Sequence, residues 1–108
     1  MSNPRESGSE FRMLTYKAMF KFLEDGVHGQ VLDFPGVITC ANSLEDARRM
    51  LAGALVDMAE TGLLRGEQLP TPDPGISDNE SDLEEPIHLI LTAASHVRVV
   101  PEPEYETV

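Results

Sequence analysis

Residues 32–62, LDFPGVITCANSLEDARRMLAGALVDMAETG, hold most of the information that decides the fold. Pro35–Gly36 predicts a tight turn, because proline fixes φ and glycine adopts conformations that other residues avoid. The short β-prone run Val37–Cys40 predicts a strand after this turn. Asn42 or Ser43 then offers a side-chain oxygen that can cap a helix, and the acidic residues that follow favour its positive end. The stretch therefore predicts a turn, a strand and a capped helix.

The helix predicted after this cap has one apolar side. The members of its apolar stripe are Leu44, Ala47, Leu51, Ala54, Leu55 and Met58. The residues that keep the opposite side polar are Glu45, Arg49, Asp57 and Glu60. Gly62 is predicted to end the helix, since glycine is favoured just past helix C-termini. An apolar stripe of this kind more often covers a sheet than binds a partner, so we assign it to the core.

The segment before this stretch predicts two antiparallel strands. From Leu14 to Phe22 apolar and polar residues alternate, which is typical of a strand with one buried and one wet face. Glu24–Gly26 predicts a hairpin turn with positive φ at the glycine, and Val27–Leu32 returns as the second strand. With Val37–Cys40 these strands form a three-stranded antiparallel meander, which the helix covers on one face. The aromatic residues assigned to the core are Tyr16, Phe20 and Phe34.

The chain after the helix is rich in proline and in acidic residues. Pro70–Pro74 contains three prolines and predicts an extended, stiff passage. Residues 73–86 are acidic and poor in apolar side chains, so we expect a mobile loop there. Ile87–Leu91 predicts a final strand, which Val97–Val100 continues or repeats.

These elements together predict a single α+β domain over residues 13–100. The polar residues 1–12 are expected to form a disordered leader, and the acidic residues 101–108 a frayed tail. A single domain also suits the length of 108 residues, which supports one modest core.

The charge of the chain restricts the partners that it can bind. Nineteen Asp and Glu residues against eight Lys and Arg residues give a net charge of −11. This balance argues against autonomous nucleic-acid binding, because phosphates need clustered Lys and Arg. It favours a basic protein partner, although an acidic surface serves equally well for solubility alone.

Cysteine usage and hydropathy predict the compartment. The lone Cys40 cannot form an intramolecular disulfide, which is typical of a reducing cytoplasm. No apolar run approaches the roughly 20 residues of a membrane span. The N-terminal residues also lack the apolar core of a signal peptide. We therefore expect a cytoplasmic protein.

Acidic residues are the main candidates for contact with a partner. The candidates are Asp33, Asp78, Glu80, Asp82, Glu84 and Glu85. Each has a structural alternative. Asp33 can cap a turn, and the others can form a solvated loop, since their spacing lacks the glycine and the final glutamate of a calcium loop.

No catalytic, cofactor-binding or metal-binding set is predicted. His28 and His88 could pair across strands as metal ligands, but no third ligand accompanies them, so wet-face positions are the more typical interpretation. Cys40 has no Lys, Arg or His near it in the sequence, which is typical of an inert small apolar residue. Because no catalytic constellation is visible, we expect the chain not to be an enzyme.

Two short motifs give the chain a resemblance to a known family. Asp33–Gly36 (DFPG) and Ser43–Ala47 (SLEDA) resemble the turn P-D-x-P-G-C and the helix entry G-D-T-x-E-E-A of the HicB antitoxin family. Glu67–Pro72 (EQLPTP) is similar to the family's exit from the helix, so the resemblance covers about residues 14–72. The positions at which many members have Pro, Cys and Gly are here Leu32, Val37 and Ala41.

The resemblance implies a partial RNase H-like β-β-β-α-β unit that blocks a small, basic, RNA-cleaving HicA toxin. An acidic module is electrostatically complementary to a basic toxin. Many members carry a DNA-binding segment after this unit, and no such segment is recognisable in this sequence. The second hypothesis is therefore a stand-alone, self-associating structural or regulatory domain. We also expect a homodimer. It would form along strand edges or through the sheet face that the helix does not cover, which includes the apolar residues Met19, Ile38 and Ile90.

Overall fold

The computed structural model describes residues 11–92 and 97–100. Its elements are β1 (Phe11–Leu23), β2 (Gly26–Val31), β3 (Ile38–Ala41), α1 (Leu44–Leu64), β4 (Leu83–Thr92) and β5 (Val97–Val100). The strands form one five-stranded sheet in the order β3-β2-β1-β4-β5, and all neighbouring strands are antiparallel. Helix α1 packs on one face of this sheet, so the predicted α+β class is confirmed.

The predicted meander of the first three strands is confirmed, and its first strand is the centre of the sheet. β1 pairs with β2 through its C-terminal half and with β4 along its N-terminal ten residues. Because β1 begins at Phe11, the last two residues of the predicted leader belong to a strand. The rest of that leader, residues 1–10, and the predicted tail, residues 101–108, lie outside the described residues.

The hairpin between β1 and β2 uses its glycine differently from the prediction. The described glycines with positive φ are Gly36 and Gly66, and Gly26 is not among them. A Cβ atom at Gly26 would lie 2.7 Å from the carbonyl oxygen of Ala41. Glycine is required there because β3 approaches the backbone of β2 closely, not because the turn has a left-handed conformation.

Pro35–Gly36 forms the predicted tight turn. The amide of Val37 donates to the carbonyl of Phe34 (3.3 Å), and Gly36 has a φ of 94°. Proline in the second position and a positive-φ glycine in the third are typical of a type II turn. The turn returns Val37 to Val31, whose amide donates to the carbonyl oxygen of Val37 (3.0 Å).

The N-terminus of α1 is capped as predicted. Ser43 has an extended backbone, and its Oγ accepts a hydrogen bond from the amide of Asp46 (3.1 Å). Of the two predicted caps, Ser43 therefore acts and Asn42 does not. Glu45 and Asp46 in the first turn add favourable interactions with the helix dipole.

The predicted end of α1 at Gly62 is wrong. The helix continues to Leu64, and Gly66, with a φ of 76°, terminates it. The amide of Gly66 donates to the carbonyl of Leu63 (3.0 Å), and the amide of Glu67 donates to the carbonyl of Gly62 (2.9 Å). These two bonds form a Schellman motif, which needs positive φ at the residue after the cap.

The core lies between α1 and the sheet. Its fully buried helix residues are Ala47, Leu51, Leu55 and Ala59. Its largest sheet residues are Tyr16, Phe20, Val31 and Leu89. Phe34 joins them from the loop after β2, and its ring meets that of Tyr16 edge to face at 5.2 Å. The three aromatic residues assigned to the core from the sequence are thus buried.

The C-terminal half of the sheet differs in detail from the prediction. β4 starts at Leu83 rather than at Ile87, so part of the predicted loop over residues 73–86 is a strand. Val97–Val100 is a separate strand that pairs with the outer edge of β4, between His88↔Val100 and Leu91↔Val97. Two adjacent acidic residues, 84 and 85, indicated a loop from the sequence. Both can lie in a strand because each has a partner distant in the sequence, as described below.

Candidate partner-binding surface

Asp33, the first candidate for a partner contact, is a buried structural residue. It is 8% exposed. One carboxylate oxygen accepts a hydrogen bond from the amide of Lys17 (2.8 Å), and the other accepts one from the amide of Asp73 (2.9 Å). Asp33 thereby joins β1 to the end of the proline passage at Asp73, which favours the structural alternative over contact with a partner.

The acidic segment, Asp73–Asp82, crosses the face of the sheet opposite α1, which we call the second face. Lys17 Nζ donates to the carbonyl of Ile76 (2.9 Å). Lys21, four residues further along β1 on the same face, pairs with Glu80 (2.6 Å), and this hydrogen bond raises the pKa of Lys21. Two lysines of β1 therefore hold the segment against the sheet.

Glu84 organises the acidic segment from the start of β4. Its carboxylate accepts hydrogen bonds from the amide of Asp78 (2.9 Å), Ser81 Oγ (2.8 Å) and Ser77 Oγ (3.1 Å). Lys17 Nζ lies 3.9 Å from the same carboxylate. The amide of Asp78 and the two hydroxyl groups hold the pKa of Glu84 below its ordinary value, because they stabilise the charged form.

The other predicted contact acids also have partners within the chain. Asp82 accepts a hydrogen bond from the amide of Phe22 (2.7 Å), and its own amide donates to the carbonyl of Phe20 (2.9 Å). Glu85 lies on the α1 side of β4 and forms a bidentate pair with Arg48, with both distances at 2.9 Å. Asp78 accepts a hydrogen bond from the amide of Glu80 (2.8 Å). The predicted acidic loop is therefore an ordered set of intramolecular contacts.

The acidic segment changes what the second face can offer to a partner. Met19, predicted as an open apolar residue of that face, is only 2% exposed. It lies between Lys17 and Lys21 on β1, and the segment that both lysines bind accounts for its burial. Ile38, in contrast, is 54% exposed at the outer strand β3, where Cys40 is also exposed.

The two strand histidines do not meet. His28 on β2 pairs in register with Lys21, and His88 on β4 pairs in register with Thr15, so their positions are six residues apart along β1 and on its opposite edges. Nε2 of His28 lies 3.1 Å from Oε1 of Gln30, and Nδ1 of His88 lies 2.9 Å from Oγ1 of Thr15. Within the described ranges, no group of three or more His, Cys, Asp and Glu side chains could hold a metal ion.

The outward surface of α1, which we call the outer helix face, carries acids that have no such partners. Glu45, Asp57 and Glu60 are exposed, and none of the ion pairs among the described residues includes them. Gly53 lies among them, and a Cβ atom there would meet nothing within 4 Å. Helical periodicity in the sequence predicted this polar side. The structure adds that its acids are outside the ion pairs, unlike Glu80 of the acidic segment.

Comparison with known proteins adds no assignment to this geometry. No family model, curated protein or solved structure matches the chain. Among the described residues, no helix has the length and apolar character needed to cross a membrane.

Proposed function

We propose that this chain is a non-enzymatic, cytoplasmic protein-binding module of the HicB antitoxin type, whose partner is a small basic protein such as an RNA-cleaving HicA-type toxin. The motifs at Asp33–Gly36 and Ser43–Ala47 support this assignment, as does the net charge of −11. We further propose that β1 to β4 with α1 correspond to the partial RNase H-like β-β-β-α-β unit of that family. β5 is then an addition at the sheet edge.

The outer helix face is the surface that we propose for the basic partner. The observation that carries this choice is the charge of Glu45, Asp57 and Glu60, which are exposed and form no ion pair with any other described residue. The acids first selected from the sequence are already engaged within the chain, so a partner would have to displace an existing bond to use them. Complementary charge at an exposed surface mainly raises the association rate and the specificity.

Charge reversal on the outer helix face tests this proposal. The chain is expressed in its native host with an affinity tag, and the proteins that co-purify are identified. Recovery of a small basic protein at low salt, and its loss with Asp57→Lys and Glu60→Lys together, is the expected result. Asp25→Lys in the hairpin turn makes the same type of change at an exposed acid away from α1 and should keep the partner. Failure to recover any small basic protein would contradict the antitoxin assignment.

Self-association is the second candidate function, and the edge strand β3 favours it. Ile38–Ala41 is uncharged, has no proline, and has Ile38 and Cys40 exposed. Edge strands that avoid pairing with other chains usually carry charges or prolines. Antiparallel pairing of β3 with the same strand of a second copy would create a homodimer with one continuous sheet.

Light scattering distinguishes a dimer formed through β3 from a monomer. The wild-type chain should have twice the monomer mass at high concentration, and Ile38→Lys should return it to the monomer mass. Met13→Lys is the control and should remain dimeric, because Met13 is also an exposed apolar residue (53% exposed) but lies on β1. A wild-type chain that stays monomeric at millimolar concentration rules out this candidate.

Nucleic-acid binding by this chain alone is not part of the proposed function. Its −11 charge opposes the approach of phosphates. We expect no saturable binding to duplex DNA in a mobility-shift titration at physiological salt, and submicromolar binding would contradict the proposal.

A further inference from the structure

A groove lies at the C-terminal end of α1, where the chain leaves the helix and passes along β1. Its volume is about 370 Å³, which lies within the range of roughly 300–1,000 Å³ that small-molecule pockets occupy. Its apolar walls are formed by Leu14, Leu63, Leu69, Pro70, Pro72 and Leu91. We call this feature the proline groove.

The walls of the proline groove are held in place by contacts that do not depend on a ligand. The hydroxyl of Tyr16 donates to the carbonyl of Pro70 (2.7 Å). Burial raises the pKa of Tyr16 to about 12, and the carboxylate of Asp33 adds to this rise, so the donor stays protonated at physiological pH. On the opposite wall, the Schellman motif at Gly66 fixes the last turn of α1. A preformed wall avoids the cost of ordering the groove when a ligand binds.

Charge distinguishes the proline groove from the rest of the molecule. Its described polar lining residues are Arg12, Gln68 and Thr71, and no carboxylate is among the lining residues. This is unusual in a chain with 19 acidic residues. The groove therefore offers an apolar cavity with a cation at its rim.

Arg12 is also unusual among the cations. Of the Lys and Arg side chains that the structure describes, the five that pair with a carboxylate are Lys17, Lys21, Arg48, Arg49 and Arg65. Arg12 has no such partner within residues 11–92 and 97–100. Its positive charge opposes the rise in the pKa of Tyr16, which places it close to the phenol that anchors the proline wall. An anion at the rim would supply the partner that the described residues do not.

We propose that the proline groove binds a linear aliphatic monocarboxylate, with its alkyl chain between the leucine and proline walls and its carboxylate at Arg12. A purely apolar ligand would fit the leucine and proline walls but would leave the guanidinium of Arg12 without a contact. A cationic amphiphile would meet Arg12 with the same charge. An anion with an apolar chain fits both the apolar walls and the described lining residues, which include Arg12 and no carboxylate.

Decanoate is the probe for this site, and an NMR titration of the full chain is the measurement. The amide signals of Leu63, Gln68 and Thr71 should shift saturably with decanoate. Decyltrimethylammonium, which has the same alkyl length and the opposite charge, should bind about fivefold more weakly, as expected for an exposed ion pair worth about 1 kcal/mol. Acetate, which lacks the alkyl chain, should not bind saturably.

Two matched pairs of variants separate the proposal from non-specific binding. Leu63→Gln should weaken decanoate binding about tenfold, since an apolar contact of the groove lining is lost, whereas Leu64→Gln, 88% exposed and outside the lining, should not. Arg12→Gln should weaken binding about fivefold, whereas Arg65→Gln should not. Equal affinity for both amphiphiles, equal losses in the control variants, or no saturable binding to the wild-type chain would each overturn the proposal.

Discussion

The two faces of the sheet are covered in different ways. On one face, α1 packs Leu51 and Leu55 against the apolar residues of β1, β2 and β4, and its ion pair between Arg48 and Glu85 lies beside this apolar contact. On the second face, the acidic segment lies on β1 through lysine pairs and through the hydrogen bonds of Glu84. The first cover is continuous and non-directional, whereas the second consists of separate directional bonds.

This difference determines how each face responds to mutation. Apolar packing tolerates a change of shape if volume and burial are kept. A directional contact fails when one partner is removed, because the other is left without a hydrogen bond. The face covered by α1 should therefore be sensitive to polarity, and the second face should be sensitive to the loss of single atoms.

Leu51→Asp should have the largest effect, because it places a carboxylate in the centre of the apolar face. Leu51 has no exposed surface, and a buried, unpaired charge should lower the free energy of unfolding by about 4 kcal/mol or more. That is a large fraction of the roughly 5–15 kcal/mol by which small domains are typically stable. Met50→Asp is the matched control, since Met50 is 46% exposed and should lose less than about 1 kcal/mol. Similar urea midpoints for the two variants would show that α1 does not pack as described.

Asp33→Ala should have the next largest effect. It removes both acceptors of the buried carboxylate and leaves the amides of Lys17 and Asp73 without partners, at a cost of about 2–4 kcal/mol. Asp33→Asn keeps one acceptor oxygen and should lose about half as much. Asp25→Ala, at an exposed turn, should stay within about 0.5 kcal/mol of wild type in urea unfolding. If Asp33→Ala matches Asp25→Ala, the bonds of Asp33 contribute nothing.

Glu84 should make the attachment of the acidic segment depend on pH. Its pKa in the folded chain lies below the ordinary value, chiefly through the amide of Asp78 and then through Ser81. It therefore stabilises the fold at pH above its ordinary pKa, and this contribution is lost as the pH falls through the folded pKa. A ¹³C titration of the carboxyl should give the low value directly.

Ser81→Ala supplies the comparison for that titration. Loss of the Ser81 hydroxyl should move the pKa of Glu84 upward, toward its ordinary value, so the acid-dependent loss of stability should be smaller and should be complete at a higher pH. Thr61→Ala, which removes an exposed hydroxyl from α1, should leave the Glu84 titration unchanged. An identical Glu84 titration in the wild type and in Ser81→Ala would refute the assigned cause.

Gly53→Ala should have the smallest effect and the opposite sign. Gly53 is an exposed residue within α1 with open space at its Cβ position, so alanine should raise the free energy of unfolding by about 0.5–1 kcal/mol. Gly36→Ala is the contrast, since φ is 94° and a new Cβ would lie 3.1 Å from Cε of Met58. It should lower stability by at least about 1 kcal/mol. If Gly53→Ala stabilises the chain but weakens binding of the basic partner, the partner approaches the outer helix face at this glycine.

The sequence predicts the face covered by α1 well and the second face poorly. Alternation in β1 and the helical spacing from Ala47 to Leu55 are local patterns, and burial on one face is enough to produce them. Asp33, however, bonds to residues 16 and 40 positions away. No local spacing indicates a partner at such distances.

The start of β4 was missed for a related reason. Glu84 and Glu85 face opposite sides of the sheet, where one binds the acidic segment and the other binds Arg48. From composition alone, two adjacent glutamates predict a solvated loop. The end of α1 was misplaced at Gly62 because both Gly62 and Gly66 precede the proline passage, and only the Schellman bonds distinguish them.

The length of β1 has a consequence for the order of folding. Its pairing with β2 joins residues that are close in the sequence, whereas its pairing with β4 joins Phe11 to Thr92. Loop closure over the longer distance costs more entropy and slows the formation of non-local contacts. The hairpin and α1 should therefore form first, and β4 should be the last strand to join β1. Pulsed hydrogen exchange should show protection of β1 amides bonded to β2 before those bonded to β4.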